Sequence, residues 1–157
     1  MHIAVDDKHI LHASDLTDRF SVDSDSVETL IAQTDIPVSQ FMADGAYDQY
    51  STYQIMSDYF PNAESIIPPD SNAVYSKENH TERNRNLQEI KTFGRMNWQR
   101  VCNYGHRNYS ELAILRYKKI IGNRLHAIEL SRQKNEAMIG CGILNKMTQL
   151  GMPKSWV

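Results

Sequence analysis

The sequence predicts an α/β chain, short strands interspersed with helices within a single domain. Three observations carry that expectation. Apolar residues make up 41% of the 157 positions, enough for a core of ordinary size. Short apolar runs bounded by turn residues recur at 2–5, 9–13, 38–43 and 64–67, with the length and punctuation of strands. Between and after them apolar residues recur at helical spacing, most persistently over 129–150.

In chain order, 2–5 and 9–13 are separated by Asp6-Asp7-Lys8 and read as a hairpin. Residues 15–25 are polar, and Asp25 followed three positions later by Glu28 predicts a capping pair on a short helix that carries Val27, Leu30 and Ile31 and ends near Thr34. After Pro37, the 38–43 strand runs into Asp44-Gly45. The 47–60 stretch has helical spacing through Tyr50, Tyr53, Ile55, Met56 and Tyr59, an aromatic stripe expected to face the core. The strand at 64–67 is stopped by Pro68-Pro69. Residues 69–95 or so form an insertion: a polar loop over 70–81, then a helix over 82–93 that Gly94 closes. The stretch from Tyr104 is an irregular lead-in to a helix starting near Ser110. The last helix places Ala137, Met138, Cys141, Leu144, Met147 and Thr148 on one face, with Gly151 and Pro153 ending it.

The net charge of −2 hides a division along the chain. Residues 1–81 hold three Lys/Arg against fourteen Asp/Glu, and residues 82–134 hold twelve against four. An acidic half that holds cations beside a basic half that follows a phosphate backbone suits a metal-dependent DNA enzyme, and two ordinary solvated faces account for it equally well. Cys102 and Cys141 lie far apart without metal-type spacing and read as free, small, buried hydrophobes in a reducing, cytoplasmic setting. No charged leader with an apolar segment and no apolar run of about 18 residues is present, so no membrane partner is expected.

Two acids stand out chemically. Asp44 follows a strand at its carboxyl end, where open α/β sheets place reactive groups, although Asp-Gly is also an ordinary turn dipeptide. Glu111 and Lys118, seven positions apart, differ by about 20° around a helix and so share a face two turns apart without touching. Ile114 and Leu115 flank that face, so the charges lie in an apolar stripe and the carboxylate needs a partner. Trp98, among Arg95, Gln99 and Arg100, suits either stacking on an unpaired base or simple packing.

The pattern Tyr104, Arg107, Glu111, Lys118, with two, three and six residues between successive members, resembles the signature of a large group of bacterial insertion-sequence transposases with an aspartate-aspartate-glutamate (DDE) active site. Ala43-Asp44-Gly45-Ala46-Tyr47-Asp48, Ile66-Ile67-Pro68-Pro69 and Leu144-Asn145-Lys146-Met147-Thr148-Gln149-Leu150-Gly151-Met152-Pro153 resemble further landmarks of that family in the same order, so the likeness runs from about His2 to Pro153. The resemblance implies a ribonuclease H-like mixed sheet with flanking helices over residues 1–157, with Asp44 and Glu111 as the second and third catalytic, metal-ligating acids. It also implies Tyr104, Arg107 and Lys118 as DNA contacts, and Trp98 as the residue that steadies a flipped nucleotide. The cofactor would be a pair of Mg²⁺ (or Mn²⁺) ions, and the DNA partners would be transposon ends and target. A homodimer or an upstream transposase segment would be the protein partner, at the bacterial nucleoid.

By the same resemblance the first catalytic aspartate belongs to an opening, central strand upstream of this chain's first hairpin, and no residue occupies its place. The expectation is a partial catalytic domain, from a decayed copy or a split reading frame, inactive by itself in strand transfer. Two rivals stand beside it: a non-catalytic DNA-binding or regulatory fragment, and another ribonuclease H-like nuclease using Asp6 with Asp44 and Glu111. Asp6 follows the first strand, but its match within the family is to a turn.

Overall fold

The computed structural model describes residues 1–18, 20–76 and 81–151. The expected stop at Pro153 and residues 77–80 of the polar loop lie outside the described residues. The elements are β1 (His2–Val5), β2 (Leu11–Asp15), α1 (Ser26–Ala32), β3 (Gln40–Met42), α2 (Tyr50–Tyr59), β4 (Glu64–Ile66), α3 (Thr81–Phe93), α4 (Arg95–Val101), α5 (Asn108–Ile120) and α6 (Leu130–Gln149). The mixed α/β class is therefore as expected, and no described helix is long and apolar enough to cross a membrane.

The strands form two separate two-stranded sheets. β1 pairs antiparallel with β2, Ile3 opposite Ser14 and Ala4 opposite Ala13, with a register irregularity between Ala4 and Val5. β3 pairs in parallel with β4, Phe41 opposite Ser65. The hairpin turn extends further than its sequence suggests, because one Asp6 carboxylate oxygen accepts from the amides of Lys8 and Ile10, at 2.9 and 2.8 Å. His9 is drawn into the turn at φ 61°, so β2 starts at Leu11 rather than at residue 9.

Three helix boundaries differ from expectation for local reasons. Asp25 is itself helical (φ −67°, ψ −21°) and is the last residue of a 3-10 turn, Asp23–Asp25, that runs straight into α1, so its side chain makes no capping bond. The expected 47–60 helix is divided: a 3-10 turn at Gly45–Tyr47 ends at Asp48, whose backbone leaves the helical region, and α2 starts at Tyr50. Gly94 ends α3 as expected, accepting φ 82°, but the chain then re-enters a helix, α4, that the sequence does not announce.

Among the described residues three apolar clusters form the core, the smallest being Ala43, Tyr53 and Ile67 at the ends of β3 and β4. Leu11, Ala113, Tyr117, Cys141 and Leu144 join β2 to α5 and α6. Val27, Ile31, Met56 and Ala63 join α1 to α2. Of the expected α6 face, Ala137, Cys141 and Leu144 are buried, together with Gly140. Met138 and Met147 are exposed because α6 packs only through the narrower stripe facing β2 and α5. In α2 the buried side is Thr52, Tyr53 and Met56, and Tyr50 and Tyr59 are outside. Both cysteines are free; Cys141 is buried and Cys102 only half-buried.

The outer edge of each sheet is closed by side chains. Asn145 on α6 accepts from the Leu11 amide at 2.8 Å and donates to the Leu11 carbonyl at 2.7 Å, and Gln33 does the same for Ser14, both at 3.2 Å. On β4, Glu82 accepts from the Ser65 amide at 3.1 Å and Asn86 donates to its carbonyl at 2.8 Å. The inner strands, β1 and β3, face an open cleft of about 1200 Å³ lined by both of them and by α1 and α5.

Candidate functional site

Asp44 leaves the end of β3 in extended conformation, one carboxylate oxygen accepting from the Ala46 amide at 3.0 Å. That short turn fixes the direction of the other oxygen. A Cβ on Gly45 would lie 3.2 Å from the Pro68 carbonyl, so glycine here permits a close approach between the chain after β3 and the chain after β4. Tyr104 secures the same strand end from the other side, its hydroxyl donating to the Ala43 carbonyl at 3.1 Å.

Arg107 closes the lead-in turn Tyr104–Arg107 and sits immediately before α5. One of its terminal nitrogens donates to Asp44 at 3.0 Å and the other to Glu111, one turn along the helix. The two acids expected to share a site therefore converge on one guanidinium, at the wall of the cleft. Burial would lower the Arg107 pKa, but the hydrogen bond to Asp44 and the Glu111 charge more than offset it and hold the cation firmly protonated. Beside the acids, burial and the charges of Asp23 and Asp44 push the Tyr47 phenol up to about 12, and its hydroxyl lies 2.8 Å from His2 Nδ1.

The apolar stripe expected around Glu111 and Lys118 is not buried. The face of α5 that enters the core is Ala113 and Tyr117, while Leu115 is 47% exposed and Lys118 is exposed, because α6 and β1 pack on the other side of the helix. The carboxylate has its partner in Arg107 instead. Tyr104 is a positioning residue in this arrangement, its hydroxyl already committed to the strand end. Trp98 is 3% exposed and packs at 5.6 Å against the Tyr104 ring, so the packing alternative describes it and no ring face is offered to a base. Asp6 is committed to its turn amides and to His12 Nε2 at 3.0 Å. Burial would raise the Asp6 pKa, but these hydrogen bonds hold it below the usual carboxylate range.

Two acids with hard oxygen donors fit Mg²⁺ or Mn²⁺ as part of a ligand set. Among the described residues no group of three or more His, Cys, Asp or Glu side chains is placed to hold a metal ion. Five of the twelve cations of the basic half, Arg83, Arg85, Arg107, Arg132 and Lys134, are paired with carboxylates of the chain itself. Arg83 forms a two-pronged pair with Asp48 at 2.9 and 3.0 Å, Arg85 meets Glu64, and Lys134 meets Asp15. Among the described residues of that half, Lys91, Arg95, Arg100, Arg116, Lys118, Lys119 and Arg124 have no carboxylate partner. Asp48 and Asn145 fall inside motifs visible in the sequence, but only the fold gives them partners. A scan of protein-family models finds no match to this chain, and no solved structure matches it.

Proposed function

We propose that this chain is the downstream part of a DDE transposase catalytic domain with a ribonuclease H-like sheet, whose intact form cuts and joins DNA at transposon ends with divalent metal. The observation that supports it most is the meeting of Asp44 and Glu111, 67 positions apart, on the single guanidinium of Arg107. An antiparallel hairpin followed by a parallel pair, with the acid at the carboxyl end of β3, agrees with the same reading. Mg²⁺ or Mn²⁺, when bound, supplies stabilisation of the attacking and leaving oxygens of a phosphodiester. In this reading Asp44 and Glu111 hold the metal, Arg107 orients the acids and then offers its planar fork to a phosphate, and Lys118 adds a point charge along the DNA backbone.

The third carboxylate comes from an upstream strand. The test joins the chain to an upstream segment bearing an aspartate-containing strand and assays Mg²⁺-dependent cleavage of linear DNA carrying the repeats that flank the gene. Cleavage that is lost in Asp44→Asn and in Glu111→Gln is the expected result. Strand transfer by the chain alone, or cleavage that survives both substitutions, overturns the reading.

The Arg107 bridge also favours a second reading, a non-catalytic DNA-binding or regulatory fragment, since both acids are already neutralised without metal. It predicts DNA binding that weakens steeply with salt and survives Glu111→Gln, with no cleavage after the upstream segment is restored.

A further inference from the structure

α6 carries two apolar faces, and the fold uses one of them. Ala137, Gly140, Cys141 and Leu144 form the packed side, which meets β2 and α5. About 130° away around the helix stand Ile139, Ile143 and the C-cap Leu150, 65%, 46% and 79% exposed. A surface helix ordinarily presents charged and polar residues opposite its packed stripe. Scattered apolar side chains on a surface are commonplace, whereas three in one line along a helix mark a place where another surface docks.

These three lie on a regular seam. Arg132, Glu136, Ile139, Ile143, Lys146 and Leu150 follow one another at alternating intervals of four and three, the heptad spacing through which two helices interlock. Five of the six are exposed and Glu136 is half-buried. The two charges that flank the isoleucines are held without being neutralised. The Glu136 carboxylate accepts from the His126 and Ala127 amides at 2.9 Å, which orient it and bring no formal charge. Among the described residues Lys146 has no carboxylate partner.

The order of residues along the seam is complementary to its own reverse. When two α6 helices lie antiparallel, centred at the level of Cys141, each Ile139 meets the Ile143 of the other copy, each Glu136 meets a Lys146, and each Leu150 lies along the aliphatic stem of an Arg132. All of these contacts occur twice, as a two-fold interface requires. A parallel pair would set Glu136 against Glu136 and Lys146 against Lys146, so charge selects the antiparallel arrangement. We propose, independently of the transposase reading, that this face of α6 pairs antiparallel with the same face of α6 in a second copy of the chain. Ile139 and Ile143 form the apolar centre of the interface, and the Glu136 to Lys146 pairs fix its register.

The test is sedimentation of the full chain over a range of concentrations, where a monomer–dimer equilibrium is expected. Ile143→Asp places a carboxylate on the seam and lies outside the core clusters, so it should leave a monomer whose circular dichroism is unchanged. Lys146→Glu sets glutamates opposite one another and should weaken the dimer by about tenfold, and Glu136→Lys should do the same with lysines. Mixing those two variants should restore the dimer, because every facing pair is then opposite in charge. A chain that stays monomeric at every concentration overturns the proposal. So does a dimer that survives Ile143→Asp, a dimer that Lys146→Glu leaves unchanged, or a mixture that associates no more tightly than its components.

Discussion

Arg107 and Asp44 stand 63 positions apart in the chain and 3.0 Å apart in space, and the same guanidinium reaches Glu111 one helical turn on. A cation entering between the acids must displace an arginine that their charges hold in place. Arg107→Ala is therefore expected to raise Mn²⁺ affinity by about tenfold, corresponding to about 1.4 kcal/mol, in a calorimetric titration. Adding Asp44→Asn should remove the gain. Unchanged Mn²⁺ affinity in Arg107→Ala would mean that the bridge and the metal occupy different places.

DNA affinity should fall with salt along a straight line of log K against log salt. Lys118→Ala and Lys119→Ala should each reduce that slope by about one, because each lysine is exposed and without a carboxylate partner. Trp98→Phe should leave the slope and the affinity unchanged, since the indole is buried against Tyr104. Loss of DNA binding in Trp98→Phe while the chain stays folded would restore the base-stacking role.

Tyr104→Phe removes the donor to the Ala43 carbonyl and keeps the ring. It should cost about 1 kcal/mol in urea unfolding, the ordinary net value of one such bond. Mn²⁺ binding should weaken in parallel, because the strand end that carries Asp44 is released.

Two glycines of α6 should respond in opposite directions. A Cβ at Gly140 would lie 2.5 Å from the Tyr117 ring, which is 5% exposed and fixed in the first core cluster, so Gly140→Ala should destabilise by about 1–3 kcal/mol. Nothing lies within 4 Å of a Cβ at Gly142, and Gly142→Ala should stabilise by about 0.5–1 kcal/mol through its helix propensity. Thermal melts of the two variants check both signs.

Stability should fall at both ends of the pH scale. Burial acts to raise the Asp15 pKa, but the hydrogen bond and charge of Lys134 with the Ser26 hydroxyl hold it below its ordinary value. Its contribution is present above the unfolded carboxyl pKa of about 4 and is lost as pH falls through the lower folded value. Lys134→Met should flatten that acid limb and cost about 1–2 kcal/mol, since the lysine is partly solvated. At the alkaline end the Tyr47 pKa is raised to about 12, so its neutral form favours folding below pH about 10 and that contribution disappears as pH rises toward 12. Tyr47→Phe should remove part of the alkaline loss.

The sequence by itself determined the local elements and the candidate acids. Short apolar runs and turn residues mark the hairpin and the separate strands β3 and β4, helical spacing and caps mark α1, α3, α5 and α6, and Asp44 and Glu111 are singled out by the motifs they fall in, since their local settings alone read equally as a turn and a helix-rim charge. Each of these signals lies within a few consecutive residues. Tertiary structure alone decided that Arg107 neutralises both acids, that Asp48 takes Arg83, and that Asn145 closes an edge of β2, because these partners are up to 134 positions apart. It also decided which side of α5 is inside. The Ile114–Leu115 stripe and the Ala113–Tyr117 stripe are both apolar, and only the presence of α6 and β1 against the second made that one the core. Periodicity states that a helix has a face to bury; the neighbour that covers it lies elsewhere in the chain and leaves no trace in that stretch.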